Sequence, residues 1–353
     1  MPSRRFQTLP PPLGDPPYHY DLTTAVPGID DRASSQGHII FHTVGDTGGV
    51  KNPDRQRVVA AAMKTDLNQM PEKVPSFFYH LGDVVYFNGE YDQYYEQFYE
   101  PYDHYDPPIF SIPGNHDGAP LDDSHSSLDG WVKFFMTATP HVDPESTDAP
   151  RVTLSQPNCY FTLNCPYVTI VGLYTNIPEG GSVDSIQQQW LTNELHTAPM
   201  DKALIVALHH PIYSFDDHHS GSSRMADVLQ QSINDSRRVP NMVLTAHVHN
   251  YQRIERKLPD GLKLPFLVVG NGGYHHLHGL NAENGDKDPD THAKLIVGDD
   301  KRFGYVTLKV DAEHISGMQT AMKPNGDDID RKADEFEYSA EPLQLSGSQT
   351  IDL

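Results

Sequence analysis

Short apolar runs recur along the chain from residue 38 onward, and segments with helical spacing lie between them. Short runs rich in β-branched and aromatic side chains are typical of strands that are buried inside a sheet. The runs that predict strands cover residues 38–44, 77–81, 109–112, 168–173, 203–208, 242–245 and 266–269.

Two of the intervening segments carry signals of helix starts. Asn52 followed by Pro53 is a cap and first-turn signal, and apolar residues then occur at positions 59, 63, 67 and 70. Asp184 or Ser185, with glutamines three residues later, resembles a capping box. We expect the buried face of this second helix to consist of Ile186, Trp190, Leu191 and Leu195.

A third segment concentrates aromatic residues at helical spacing. Its members are Tyr91, Tyr94, Tyr95, Phe98, Tyr99 and Tyr102. This stripe could stack on a ligand, but we favour a helix that packs its aromatic face on a sheet, since apolar stripes of helices usually face the core.

The alternation of strands and helices predicts an α/β fold with one main domain, which we place at residues 37–318. No internal repeat or linker divides it. Residues 1–36 are rich in Pro, Asp and Gly and predict an N-terminal surface arm. The polar and acidic residues 319–353 predict a C-terminal tail that wraps around the domain or frays.

The composition narrows the possible partners. The 353 residues include 26 Lys and Arg against 48 Asp and Glu, a formal charge of −22. This balance argues against binding nucleic acid or an anionic membrane, because both require positive potential. No run approaches the roughly 18 apolar residues of a membrane span, and the first residues lack the apolar stretch of a secretory signal. We therefore expect either a cytoplasmic protein or the mature form of an exported one.

The two cysteines predict free thiols rather than a disulfide. Cys159 and Cys165 flank a strand-like run. In an extended strand they would lie about 20 Å apart, far beyond the reach of a disulfide bond.

Residues with metal-binding side chains follow almost every predicted strand. The segments are GDTGG at 45–49, GDVVY at 82–86, GNHD at 114–117, HHP at 209–211, AHVH at 246–249 and GNGG at 270–273. Ligands of open α/β sheets bind beyond the carboxyl ends of the strands, so we expect these residues to meet in one site. Carboxylates, imidazoles, an amide oxygen and a phenol suit iron, zinc or manganese, and they are numerous enough for two ions.

The motifs GDTGG, GDVVY, GNHD, LHHP and AHVH, in this order, resemble those of the calcineurin-like metallophosphoesterases, and more narrowly those of their purple acid phosphatase branch. The resemblance covers about residues 38–310 and implies a four-layer α/β/β/α sandwich of two mixed sheets. The branch assignment rests on one exchange. Most of the superfamily opens with D-x-H, whereas Gly48 stands at the place of that histidine and Tyr86 is expected to supply the missing ligand.

The resemblance implies two metal ions with a shared ligand. It assigns Asp46, Tyr86 and His249 to the first ion, expected to be Fe(III), and Asn115, His209 and His247 to the second, expected to be Fe(II), Zn(II) or Mn(II). Asp83 is expected to bridge the two ions. His210 is expected to be a neighbour rather than a ligand, since the family's ligand lies two residues before the proline.

The resemblance also implies residues that contact the substrate. Asn115 and His116 are expected to contact the phosphate. One of His218 and His219 could protonate the leaving group, although an exposed histidine-rich loop is the alternative. Whether His275, His276 and His278 line the mouth of the site stays open.

The implied function is hydrolysis of phosphate monoesters by in-line attack of a metal-bound hydroxide, as in an acid phosphatase. A phosphodiesterase or nucleotide phosphohydrolase of the same fold is the first alternative. A non-catalytic protein that binds metal or phosphate is an alternative of another class. The expected partner is a small-molecule phosphate ester, and the sequence leaves the oligomeric state open.

Overall fold

Two large mixed β-sheets form the centre of the computed structural model, which describes residues 5–258 and 261–353. In spatial order the first sheet contains β1 (His19–Asp21), β5 (Phe161–Asn164), β6 (Val168–Gly172), β7 (Ala203–Ala207), β9 (Met242–Thr245), β11 (Lys263–Val269), β10 (Tyr251–Lys257) and β12 (Lys294–Asp299). The second contains β15 (Asp330–Ser339), β14 (His314–Met322), β13 (Phe303–Asp311), β2 (His38–Val44), β3 (Phe78–His80) and β4 (Ile109–Ser111). A separate short pair consists of β8 (Arg238–Val239) and β16 (Leu343–Gln344). The predicted α/β fold with two mixed sheets is confirmed.

Each sheet has a parallel part that directs several strands the same way. Strands β6, β7, β9 and β11 are parallel in the first sheet, and β2, β3 and β4 are parallel in the second. The carboxyl ends of neighbouring parallel strands meet at one edge of a sheet, so the loops that follow them are brought together.

The helices lie between strands in the chain. They are α1 (Leu22–Ala25), α2 (Ile29–Gln36), α3 (Asp54–Asp66), α4 (Asn115–Gly118), α5 (Asp129–Phe135), α6 (Ser185–Thr197) and α7 (Ser223–Ser236). Helix α3 packs on β13, and α6 packs on α7. The predicted cap of α6 is present, since the Asp184 carboxylate accepts a hydrogen bond of 2.8 Å from the Gln187 N–H.

Two expectations for helices need correction. Ile186 is 71% exposed and does not belong to the buried face of α6.

The aromatic segment is the second correction. It forms a 3₁₀ turn over Tyr91–Gln93 and a π-helical turn over Tyr95–Tyr99 rather than a regular α-helix. Its buried rings contact α5, and Phe98 lies edge-on to Phe134 with ring centroids 4.9 Å apart. The aromatic residues therefore serve packing, as expected, both against the sheet, where Tyr102 contacts Phe78 of β3 at 5.7 Å between ring centroids, and against helix α5.

The chain ends are more closely integrated than the sequence suggests. In the expected arm, β1 pairs with β5, and Leu22 and Ile29 are fully buried. The boundary proposed at residue 318 falls inside β14. The expected tail then supplies β15, which pairs with β14 along its length. Alternating polar residues on this edge strand explain the error, because a strand with one wet face has no apolar run.

Two further expectations concern absent features. Cys159 and Cys165 are both buried free thiols, which confirms the prediction. Across residues 5–258 and 261–353, every helix is too short or too polar to cross a lipid bilayer.

A buried polar network connects β15, the edge strand of the second sheet, to helix α3. Asp66, at the end of α3, accepts hydrogen bonds from the Tyr305 hydroxyl and the Arg331 guanidinium. The Nε2 atom of buried His42 lies 3.3 Å from the same carboxylate. Burial would raise the pKa of Asp66, but the contacts with His42 and Tyr305 hold it below its ordinary value. The carboxylate thus joins α3, β2, β13 and β15.

Asp66→Ala should lower the free energy of unfolding by about 3 kcal/mol, since each buried polar group that loses its partner costs roughly 1–3 kcal/mol. Urea denaturation at neutral pH measures the effect. Because the folded pKa of Asp66 is lowered, its contribution is present above the unfolded value and lost as the pH falls through the folded value. The difference from wild type should therefore shrink in acid. The control Asp54→Ala removes a carboxylate whose side chain is 79% exposed, and it should change stability by about 1 kcal/mol or less.

Candidate metal centre

The predicted ligands lie in the loops that follow the parallel strands of both sheets. Asp46 follows β2, Asp83 and Tyr86 follow β3, Asn115 follows β4, His209 follows β7, and His247 and His249 follow β9. All but the partly buried Asn115 and His247 are buried. The structure therefore brings the full predicted set to the place where the two sheets present their carboxyl ends.

Unusual backbone conformations turn these loops back over the sheet edges. Asp46, Asp83 and His247 have φ angles of 55°, 55° and 66°, in the left-handed region that non-glycine residues seldom adopt. Such strain persists only where the surroundings hold it, and the Asp46 N–H donates to the Gly82 carbonyl at 3.0 Å. Gly114 permits the close approach of the neighbouring loop, because a Cβ there would overlap the Asp83 carboxylate.

The first cluster of predicted ligands consists of Asp46, Tyr86 and His249. The Tyr86 hydroxyl donates to Asp46 Oδ1 at 3.0 Å and lies 3.4 Å from His249 Nε2. His249 Nε2 lies 3.6 Å from the same Asp46 oxygen. Asp46 Oδ2 accepts from the His247 N–H at 2.7 Å, which fixes the carboxylate. Three atoms that can bind a metal ion, one from each residue, thus face one small volume.

The second cluster of predicted ligands consists of Asp83, Asn115, His209 and His247. Asn115 Oδ1 lies 3.1 Å from His209 Nε2 and 2.9 Å from His247 Nδ1. Asp83 Oδ2 lies 3.3 Å from His209 Nε2. The ligand atoms of Asp83, His209 and His247 all lie within 4.8 Å of one another.

The hydrogen bonds of His209 test whether this cluster fits a cation. His209 Nδ1 lies 2.8 Å from the Leu81 carbonyl, an atom that can only accept, so Nδ1 carries the proton. In the neutral ring Nε2 then offers a lone pair toward Asn115 Oδ1 and the Asp83 carboxylate. Convergent lone pairs of this kind, with the second ring nitrogen fixed by a carbonyl, suit a metal ion.

The charges of the site point the same way. Burial opposes ionisation of Asp83, but His209 beside it holds the pKa of Asp83 well below the ordinary value. Burial lowers the pKa of His209, but the Asp83 carboxylate outweighs it and raises that pKa to about 9. Burial and the charge of Asp83 raise the pKa of Asp46 well above its ordinary value. In the absence of metal, protons on His209 and Asp46 therefore offset the buried negative charge, and a metal ion bound here would take over that role.

Tyr86 and the remaining ligand histidines are also perturbed. Burial and then the charge of Asp46 raise the pKa of Tyr86 well above its ordinary value. Burial lowers the pKa of His247 to about 4 and depresses that of His249 strongly. Both rings are thus neutral near pH 7, the form that binds metal.

Two residues that sequence analysis did not single out hold the ligand loops. The Asp117 carboxylate accepts from the N–H groups of Val84, Val85 and Gly114 at 2.8–3.2 Å. Gln97 accepts from the Tyr86 N–H at 2.9 Å and donates to the Tyr86 carbonyl at 2.8 Å. Asp117 lies inside the GNHD motif and could have been noticed. Gln97 comes from the π-helical turn and carries no motif signal.

The predicted substrate residues line an open pocket of about 630 Å³ above both clusters. The backbone N–H of His116 donates to Asp83 Oδ1 at 2.8 Å, and the His116 ring lies with its centroid 4.5 Å from that of Tyr86. His219 lies with its ring 4.7 Å from that of His247, whereas His218 is twice as exposed and contacts His278. His275, His276 and His278 also line the pocket.

Three further pocket residues were missed by sequence reasoning. Glu179 lies beside His219, Lys51 lies at the pocket wall, and Tyr274 lies with its ring 4.3 Å from His249. Glu179 belongs to a loop without a recognised motif, whereas Lys51 and Tyr274 lie just beyond the GDTGG and GNGG segments. His210 binds Thr175 through Nδ1 at 2.7 Å, which agrees with its expected place outside the ligand set.

The chain belongs to the calcineurin-like phosphoesterase family, whose model matches residues 21–251, well over half of the chain. This confirms the family predicted from the motifs. No curated protein sequence matches the chain.

Several solved structures are similar in fold. A purple acid phosphatase from yellow lupin (Lupinus luteus) seeds is 17% identical with a TM-score of 0.61, and the match covers 86% of this chain and 54% of the lupin chain. GAP50, the anchor in the inner membrane complex of Plasmodium, is 14% identical with a TM-score of 0.60 and coverage of 88% and 90%. A dimetal phosphatase from Danio rerio is 11% identical with a TM-score of 0.51 and coverage of 86% and 99%. This chain thus spans about half the length of the lupin chain, and the likeness concerns the fold.

Metal binding should stabilise the fold, because an ion that binds only the folded state adds about 2.7 kcal/mol at one hundred times its dissociation constant. We expect the melting temperature of chelator-treated protein to rise on reloading with iron and zinc. Asp83→Asn should lose most of this rise, since a carboxylate oxygen of Asp83 lies within 4.8 Å of the ligand atoms of His209 and His247. The exposed-site variant Asp54→Ala should keep all of it. An equal rise in Asp83→Asn would contradict the assigned site.

Proposed function

We propose that this chain is a metal-dependent phosphohydrolase that cleaves phosphate monoesters, of the purple acid phosphatase type. The observation that carries the proposal is the convergence of all seven predicted ligands into two adjacent clusters below one open pocket. The family is one of phosphoesterases, and the lupin and Danio rerio structures of similar fold are described as phosphatases.

The residues of this chain divide the work as follows. The two clusters hold the metal ions. His116 contacts an oxygen of the phosphate, where its ring next to Tyr86 faces the pocket. His219 protonates the departing alkoxide, because it lies closer to the ligand His247 and is less exposed than His218. Two metal ions bound here would supply a nucleophile at moderate pH and stabilise charge on the phosphoryl oxygens.

The pocket also resolves a conflict of charge. A chain with a formal charge of −22 repels an anionic substrate at long range. The pocket lining instead contains Lys51 and several histidines, namely His116, His218, His219, His275, His276 and His278. Two metal ions bound here, together with Lys51, would make the pocket locally positive on an acidic chain.

We assign Fe(III) to the cluster that contains Tyr86, and Fe(II), Zn(II) or Mn(II) to the other. Tyr86 is buried with its hydroxyl turned toward Asp46 and His249. A buried phenol with a raised pKa needs a highly charged cation to lose its proton. This supports a ferric ion rather than a divalent one at that position.

The metal-loaded chain should hydrolyse 4-nitrophenyl phosphate faster than bis-4-nitrophenyl phosphate between pH 4 and 8, and chelation should abolish the activity. Steady-state rates with both esters measure the preference. Faster turnover of the diester would contradict the assignment as a monoesterase and indicate a phosphodiesterase. Absence of turnover after iron and zinc loading would favour a non-catalytic binding protein, a possibility that the fold permits because GAP50 is described as an anchor.

Tyr86→Phe should remove the visible charge-transfer band that iron bound by a phenolate produces, while Asp46 and His249 still allow metal binding. An absorption spectrum of the iron-loaded protein tests this, with metal content measured on the same sample. Tyr274→Phe is the matched control, since Tyr274 contacts His249 through its ring, while it is the Tyr86 hydroxyl that bonds to Asp46 and lies beside His249 Nε2. A band that persists in Tyr86→Phe refutes the iron–tyrosinate assignment.

A further inference from the structure

We propose that Glu179 is a positioning residue that holds two histidines at once, the metal ligand His247 and the proton donor His219. The inference rests on the proposed function, because the roles of these histidines do. No motif contains Glu179, which lies in the loop between β6 and α6.

The geometry around His247 separates its two ring nitrogens. Nδ1 faces the second cluster, 2.9 Å from Asn115 Oδ1. Nε2 points away from that cluster, lies 4.0 Å from Glu179 Oε1, and has no hydrogen-bond partner within residues 5–258 and 261–353. When one nitrogen of an imidazole binds metal, the other carries the proton and normally donates it to a carboxylate or carbonyl. Glu179 supplies a carboxylate on this side.

The same oxygen of Glu179 contacts His219. Glu179 Oε1 lies 3.0 Å from His219 Nδ1, so Nδ1 donates to it. The N–H group of His219 also donates to Asp216 Oδ2 at 2.8 Å. The histidine is therefore fixed at its backbone and at Nδ1, which leaves Nε2 as the ring atom available to a leaving group. A carboxylate oxygen has lone pairs for both histidine contacts.

The loop that carries Glu179 is itself held in place. Asn176 has a φ angle of 58°, and its side chain exchanges hydrogen bonds of 2.8 and 3.0 Å with the backbone of Gln7. Gly180 and Gly181 have φ angles of 74° and 80°, which only glycine adopts readily. The Ser182 N–H then donates to the Thr175 carbonyl at 2.7 Å. Although 61% exposed, the Glu179 side chain thus projects from a defined loop.

The test compares Glu179→Ala with Glu341→Ala, which removes an exposed glutamate far along the chain. Metal retention is measured by competition with a chelator on the full, metal-loaded chain. The ratio of hydrolysis rates for glycerol phosphate and 4-nitrophenyl phosphate reports proton donation, because the strongly basic alkoxide needs a proton to leave and 4-nitrophenolate does not. Glu179→Gln keeps one accepting oxygen without the charge and should give intermediate values. It also provides a second variant of native shape if the alanine variant does not fold.

Glu179→Ala should weaken metal retention by about 10–100-fold and lower the rate ratio by about tenfold or more. His219→Ala should lower only the ratio, and Glu341→Ala should change neither. Wild-type retention and ratio in Glu179→Ala would overturn the inference, and loss of only one of the two would overturn the claim that one carboxylate serves both histidines. A different result is possible, in which wild type hydrolyses neither ester while Glu179→Ala still loses metal. In that case the proposed function and the role of Glu179 at His219 are both refuted, and its role at His247 is supported.

Discussion

Two buried carboxylates at the meeting edge of the sheets, those of Asp46 and Asp83, set the terms for the rest of the molecule. Neither has a lysine or arginine partner within the described residues, and a buried carboxylate without a cation is strongly disfavoured. Protonation of neighbouring His209 offsets part of this charge. Metal binding would offset more, since the surrounding imidazoles and the Asn115 amide present lone pairs to the same volume. The fold therefore maintains an unfavourable arrangement whose natural complement is a pair of cations.

That arrangement requires support from outside the ligand set. Asp117 collects three N–H groups from two ligand loops, and Gln97 binds both backbone groups of Tyr86. The left-handed conformation of Asp46 is held by the hydrogen bond from its N–H to the Gly82 carbonyl, and that of Asp83 lies next to the Val84 N–H that Asp117 binds. The irregular π-helical turn has a structural role at the site, because it places Gln97 against the Tyr86 backbone while its aromatic rings pack on α5. Packing energy from the core thus stabilises the precise placement of polar ligands.

The sequence was informative where one physical rule acted alone. Buried parallel strands need continuous apolar runs, so β2, β9 and their parallel neighbours were predicted nearly residue by residue, and the candidate ligands directly after them could be named. It was uninformative where a residue acts through a distant partner. Strand β15 has one wet face and is fastened by Arg331 to Asp66, a contact that no local pattern signals. Ile186 matches the helical stripe of α6 but is exposed, because the period of a helix does not state how wide its buried face is. The proposed role of Glu179 could not be predicted from the sequence, because it depends on the loop after β6 lying against the loops after β7 and β9 in the folded chain.

The two clusters differ in charge, and under the proposed function this difference decides which ion each prefers. The first offers the Asp46 carboxylate and a phenol that becomes anionic on binding a cation, alongside one neutral imidazole. The second offers the Asp83 carboxylate, the neutral Asn115 amide and two imidazoles that are neutral once they bind a metal ion. The first cluster therefore presents about one more negative charge than the second. Since the attraction between a cation and its ligands grows with the product of their charges, a trivalent ion gains most at Tyr86 and a divalent ion suffices at Asn115. An uneven metal pair then follows from the replacement of one histidine by one tyrosine.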